Sequence, residues 1–197
     1  LFVHGGYWRL FDRSYWSHLA AGALARGWAV AMPGYTLCPE VRIADITREI
    51  AACLRHLAET REGPIRLAGH SAGGHLVARM LCRDVDIGAA EGRLAGVSAI
   101  SPVVDLRPLI DTAMNADFGL DTAMAEAESP SLHRDVRDVP LTAWVGAEER
   151  PAFLDQARWL AEAWPNARLH VEPGRHHFDV IEPLADPDSP LVRAVLA

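Results

Sequence analysis

The stretch GHSAGG, Gly69 to Gly74, stands between a short apolar run, IRLA, and a segment of helical pattern, SAGGHLVARMLCR. It fits G-x-S-x-G, in which a sharp strand-to-helix turn exposes a serine hydroxyl while flanking glycines leave room for the tight backbone. Ser71 is therefore a candidate nucleophile. At a helix N-terminus, free N–H groups and the dipole would favour the negative charge that develops during acyl transfer.

Such chemistry also needs donors for an oxyanion. His4-Gly5-Gly6-Tyr7-Trp8 follows the apolar residues Leu1 to Val3. A glycine pair lets backbone N–H groups approach a substrate oxygen, so Gly5 and Gly6, with the N–H of Ala72 after the nucleophile, are the expected oxyanion hole. His4 is expected to brace this loop. Tyr7 and Trp8 are placed to supply part of an aromatic wall for substrate, with core packing beneath the loop as the alternative for both.

A nucleophilic serine needs a base, and the base needs an orienting carboxylate, in the chain order Ser, acid, His. Glu148 and Glu149 follow the apolar run LTAWVG, and His176 and His177 follow ARLHVEPGR. Both pairs lie where strands would end, the edge at which open α/β sheets bind ligands. Adjacent histidines point in different directions and no third ligand of suitable spacing accompanies them, so a base is expected in place of a metal half-site. If HFDVIEPL begins with a helical turn, His177, Val180, Ile181 and Leu184 share one face and His177 heads it. His176 then falls on the rim. Spacing leaves Glu148 and Glu149 open.

The elements needed to hold these residues can be read along the chain. SYWSHLAAGALARG reads as a helix with Ser14 as N-cap and Gly27 as its stop. WAVAMPGY reads as a buried strand closed by Pro33-Gly34. Ile43, Ile46, Ile50, Leu54 and Leu57 recur at helical spacing in a long amphipathic helix that ends before Gly63-Pro64. Strands follow at IRLAG, AGVSAIS, LTAWVG and ARLHVEP, separated by helices, the last of which carries Pro151 in its first turn. Strands alternating with helices predict an α/β fold, a mostly parallel sheet flanked by helices in a single domain over 1–197. Residues 103–138 interrupt the alternation with acidic, Ala-rich helical pieces, and a cap-like insertion is expected there. Because LFVHGG opens at the end of an apolar strand, earlier strands are expected to be missing.

The 197 residues carry a net charge of -7 with no dense Lys/Arg cluster, which argues against nucleic-acid and anionic-membrane partners. A small-molecule substrate is expected. No apolar run reaches the ~18 residues that would span a bilayer. Cys38, Cys53 and Cys82 lack CxxC spacing and are expected to be isolated thiols, with the reducing cytoplasm as compartment. No metal, nucleotide or other cofactor is implied. A homodimer is compatible with the sequence.

Together these residues resemble the α/β-hydrolase superfamily and, within it, the arylformamidase (kynurenine formamidase) branch. HGGYW at 4–8 is similar to the branch's HGGxW motif, GHSAGGHL at 69–76 to its nucleophile elbow, and SPVVDLRPL from Ser101 to the segment leading into its cap. YTLCPE at 35–40 is shared more widely, with lipase-like esterases. The resemblance implies Ser71, Glu149 and His177 as the triad, the acid standing one residue before a proline-opened helix and the histidine directly before Phe178. A Glu stands where many members of the superfamily have Asp. The implied reaction is cleavage of N-formyl-L-kynurenine to L-kynurenine and formate in tryptophan breakdown. A carboxylesterase acting on small acyl esters is the alternative, and an idle hydrolase-fold binding protein a third reading.

Overall fold

A computed structural model describes residues 1–197. Five strands, β1 (Phe2–Val3), β2 (Ile65–His70), β3 (Leu94–Ile100), β4 (Leu141–Gly146) and β5 (Ala167–Glu172), form one sheet in the order of the chain, and every neighbouring pair is parallel. Parallel neighbours require crossovers, and the helices supply them. A 3₁₀ helix at Arg13–Ala20 leads into α1 (Ala21–Ala25), followed by α2 (Ile43–Thr60) and α3 (Ala72–Arg79). After β3 come α4 (Asn115–Phe118) and α5 (Thr122–Ala127), then α6 (Pro151–Ala163) between β4 and β5, and α7 (Pro190–Leu196).

Strands β1 to β4 are buried on both faces by alternation, whereas the edge strand β5 leaves Leu169 and Val171 exposed. Leu67, Val97, Ala99, Leu141, Ala143 and Val145 point into a large core shared with α2, α3 and α6, whereas Ala68, Ile100 and Trp144 point into a smaller one closed by Val180, Ile181, Leu184, Leu191 and Val192. This period of two in the strands meets a period of three and four in α2, where Ile43, Ile46, Ile50 and Leu54 are buried.

The expected strand at WAVAMPGY does not form. The segment runs beside β1 with one backbone hydrogen bond to it, Phe2 N–H to Ala31 O at 2.9 Å, and most of its side chains are only half-buried. A ladder needs repeated bonds, and β1 offers a partner only two residues long. The first helix is also capped by Asp12, not Ser14: the Asp12 carboxylate accepts from the Ser14 N–H at 2.8 Å. The segment 103–138 contains only short helical pieces and contributes to the main core, where Val103, Val104, Leu106, Leu109, Phe118, Leu120 and Ala125 are buried. All three cysteines are free thiols. No helix is long and apolar enough to cross a membrane.

Candidate active site

Ser71 occupies the turn between β2 and α3 with φ 56° and ψ −115°, a conformation that costs a non-glycine residue about 1–3 kcal/mol and persists only where the surroundings impose it. They do so here. The Ser71 N–H donates to Ile100 O at 2.8 Å, and its carbonyl accepts from the His75 N–H at 3.0 Å, the first turn of α3. Gly73 allows α3 to press against β1, since a Cβ there would lie 2.0 Å from Val3 O.

Three strand ends converge on this hydroxyl. His177, after β5, brings its Nε2 to 3.2 Å from Ser71 Oγ, and Glu149, after β4, accepts from His177 Nδ1 at 2.7 Å. The second oxygen of Glu149 accepts from the Ser101 hydroxyl at the end of β3 and from the Gly146 N–H at 2.9 Å. Both carboxylate oxygens are thus committed, and the side chain is fully buried. The imidazole lies between the Phe153 ring, stacked at 4.0 Å, and the His70 ring at 4.7 Å.

The competing residues lie elsewhere. Glu148 is exposed and donates its backbone N–H to Arg175 O. The His176 side chain is 54% exposed against 13% for His177, and its Nδ1 accepts from the Phe178 N–H. The turn after His177 carries Val180, Ile181 and Leu184 into the smaller core, so the inward face that periodicity identifies is the one the fold buries. Glu149→Gln is expected to cost about 10⁴-fold in kcat, because an amide cannot stabilise an imidazolium and favours the wrong tautomer, whereas Glu148→Gln should stay within about twofold. Comparable losses in both, measured at saturating substrate, would move the acid.

Gly5 and Gly6 lie opposite. A Cβ on Gly5 would lie 2.9 Å from His70 O and 3.1 Å from Ser71 Cβ, so the loop passes directly over the elbow. The N–H groups of Gly5 and Gly6 bond to no other group of the protein, and Ala72 is the first residue of α3, where an N–H has no intrahelical acceptor. Gly6 has φ +120°, and a Cβ there would stand 2.2 Å from Leu10 O. Gly6→Ala must therefore move the loop. A loss of about 10²- to 10³-fold in kcat with an unchanged far-UV spectrum is the expected result, the cost of one misplaced oxyanion donor; full activity would place the donors elsewhere.

Trp8 is a correction. Its ring is completely buried, edge-on to His75 at 5.1 Å and to Phe118 at 5.7 Å, and its carbonyl accepts from the Cys38 N–H. Positive φ at Tyr7 and Trp8 turns the indole inward, so it anchors the loop from behind and cannot touch a substrate. Tyr7 remains half-buried, with its phenol pushed up by burial and partly relieved by the positive charge of Arg150. His4 braces the loop: its Nδ1 lies 2.7 Å from Gly5 O and its ring stacks on Tyr35 at 4.4 Å. The aromatic rim instead includes Phe178, 76% exposed and 5.4 Å from the His177 ring, and Phe11, which packs on Trp16 beside His70.

His70 and His75 flank Ser71 and are buried, and desolvation pushes both imidazoles down to about 3 from an ordinary 6.5. They stay neutral in the folded chain while unfolded histidines bind protons below pH ~6.5, so unfolding takes up protons and stability falls as pH drops from ~6.5 towards ~3. Urea midpoints should decline across that window, and less steeply in His75→Gln; a flat profile would contradict the burial.

One other group of polar side chains merits comparison with a metal site. Cys82, Asp84 and His133 lie close together, but Arg79 donates to Asp84 at 2.7 Å and approaches His133 Nε2 at 3.2 Å, and burial pushes the Cys82 thiol up to about 12. The guanidinium already supplies the positive charge that a cation would bring.

A nucleophile elbow on a parallel sheet, with an acid and a histidine delivered from later strand ends, defines a hydrolase of the α/β class, and the family described as alpha/beta hydrolase fold matches residues 1–177: the chain belongs to it. Within that family it is similar over its whole length to kynurenine formamidases. It is 32% identical to that of Drosophila melanogaster, with 98% of this chain and 70% of that protein covered, and 25% identical to that of Danio rerio, with 100% and 71% covered. Among solved structures, a candidate thioesterase from Silicibacter sp. TM1040 is 57% identical, with a TM-score of 0.97 over 100% of this chain and 74% of that one. Esterase B of Lactobacillus Rhamnosis, 20% identical with a TM-score of 0.76 over 99% and 70%, shares the fold.

Proposed function

We propose that this hydrolase is an arylformamidase that cleaves N-formyl-L-kynurenine to L-kynurenine and formate, with Ser71 as nucleophile. The observation that carries the reading is the continuous relay Glu149–His177–Ser71 beneath the two free N–H groups of Gly5 and Gly6, in a chain whose curated relatives are kynurenine formamidases. Ser71 Oγ attacks the formyl carbon as His177 Nε2 takes its proton, and the N–H groups of Gly5, Gly6 and Ala72 receive the oxyanion. Glu149 holds the Nδ1–H tautomer and stabilises the imidazolium. The tetrahedral intermediate collapses with cleavage of the C–N bond, and His177 returns the proton to the departing aryl amine. Water, deprotonated by His177, then releases formate from formyl-Ser71.

A formyl group needs little acyl space while its leaving group is aromatic, and Tyr7, Phe11 and Phe178 supply rim surface for such a ring. The Arg150 guanidinium forms no hydrogen bond or ion pair within the protein and lies within Coulombic reach of Tyr7, which suits a leaving group bearing a carboxylate. A second reading, hydrolysis of small acyl esters or thioesters by the same residues, is favoured by the 57% identical candidate thioesterase. Measuring kcat/KM on N-formylkynurenine, p-nitrophenyl acetate and an acetyl thioester separates them. The formamide should be the preferred substrate; turnover of the esters with none of the formamide would replace the first reading by the second.

A further inference from the structure

The residue beside the nucleophile has no role in the scheme above, yet it touches both halves of the site. His70 is buried at the end of β2, one peptide bond before Ser71. Its Nε2 lies 2.9 Å from the backbone carbonyl of His177, and because a carbonyl only accepts, Nε2 carries the hydrogen. The other nitrogen, Nδ1, has no partner and would lie 3.1 Å from a Cβ on Gly5, so that edge faces the oxyanion loop.

We infer that His70 is a positioning residue for the proposed hydrolysis, holding the main chain of His177 through its Nε2–H so that the base keeps its registration on Ser71. The inference rests on the assignment of Ser71 and His177 as nucleophile and base. Its physical content is a short mechanical path. Glu149 fixes the rotation of the imidazole, and Phe153 covers one of its faces, but neither ties the loop backbone of His177 to the elbow. The His70 side chain does, across a separation of 107 residues in sequence, from a position covalently adjacent to the nucleophile. A shift of about 1 Å at a reacting pair can cost on the order of 10²-fold in rate. Neutrality matters as well. The rings of His70 and His177 are 4.7 Å apart, so a charged His70 would oppose formation of the imidazolium, and burial keeps it uncharged over the working pH range.

The chemistry of amide side chains gives a directional test. The amide nitrogen of Gln reaches about as far as imidazole Nε2, whereas that of Asn reproduces Nδ1, the edge with no partner. His70→Leu, His70→Asn and His70→Gln would be assayed on p-nitrophenyl acetate, with active sites counted by fluorophosphonate titration so that misfolded protein does not enter kcat. His70→Leu and His70→Asn should lose about 10- to 100-fold in kcat per titrated site with KM within about threefold, and His70→Gln should recover most of the loss. Wild-type kcat in His70→Leu, or equal values for the Asn and Gln variants, would overturn the positioning role while leaving the triad intact. Wild-type protein that neither labels nor turns over ester would overturn the triad, and this inference with it.

Discussion

Ser71→Ala is expected to lower kcat by about 10⁴- to 10⁶-fold, some 5–8 kcal/mol of transition-state stabilisation, while the protein remains folded. The loss is large because nucleophile and base work as a unit: without Oγ there is no acyl-enzyme, and His177 has only water to activate. What survives is binding and the donors of Gly5, Gly6 and Ala72. Stability should not fall, because a smaller side chain at φ 56° keeps the backbone strain but removes a hydroxyl held among buried groups. Steady-state kinetics with a thermal melt on the same preparation checks both. Turnover within tenfold of wild type in homogeneous Ser71→Ala would exclude it as nucleophile.

The paired histidines should behave asymmetrically. His177→Ala removes the group 3.2 Å from Ser71 Oγ and leaves the buried Glu149 carboxylate without the ring it holds, so a loss of about 10⁴- to 10⁶-fold is expected across the pH range. His176→Ala removes a rim imidazole whose Nδ1 accepts from the Phe178 N–H and lies 3.4 Å from Asp179 Oδ1, and should retain activity within about threefold. The acid limb of kcat/KM against pH, which reports the base of the free enzyme, should persist in His176→Ala. Activity lost in His176→Ala and kept in His177→Ala would reverse the assignment.

How much of this could be read from the chain differs residue by residue. Ser71 was legible because the elbow is a local object: strand, glycine-flanked turn and helix occur within a dozen residues, and the glycines are demanded by contacts as close as that of Gly73 with Val3 O. His177 was separable from His176 because a helical turn follows it and Val180, Ile181 and Leu184 mark the buried face. Spacing could not separate Glu149 from Glu148, since the choice depends on Ser101 and the Gly146 N–H, groups that meet only when β3 and β4 pair. Trp8 shows the opposite failure. Its type suggested a substrate wall, but the positive φ of two successive residues, which composition does not reveal, sends the indole into the core. WAVAMPGY has the composition of a strand and lacks the neighbour that would make it one, while Phe11, Phe178 and His70 acquire their places only through tertiary contacts.

The most direct test of the serine nucleophile is the site of covalent capture. Wild-type protein would be treated with a fluorophosphonate and digested, and the adduct located by peptide mass spectrometry. The arrangement of Ser71, His177 and Glu149 predicts one adduct per chain, on the peptide containing Ser71, formed far more slowly in His177→Ala. An adduct on another residue, or folded protein that takes up no probe, would contradict it.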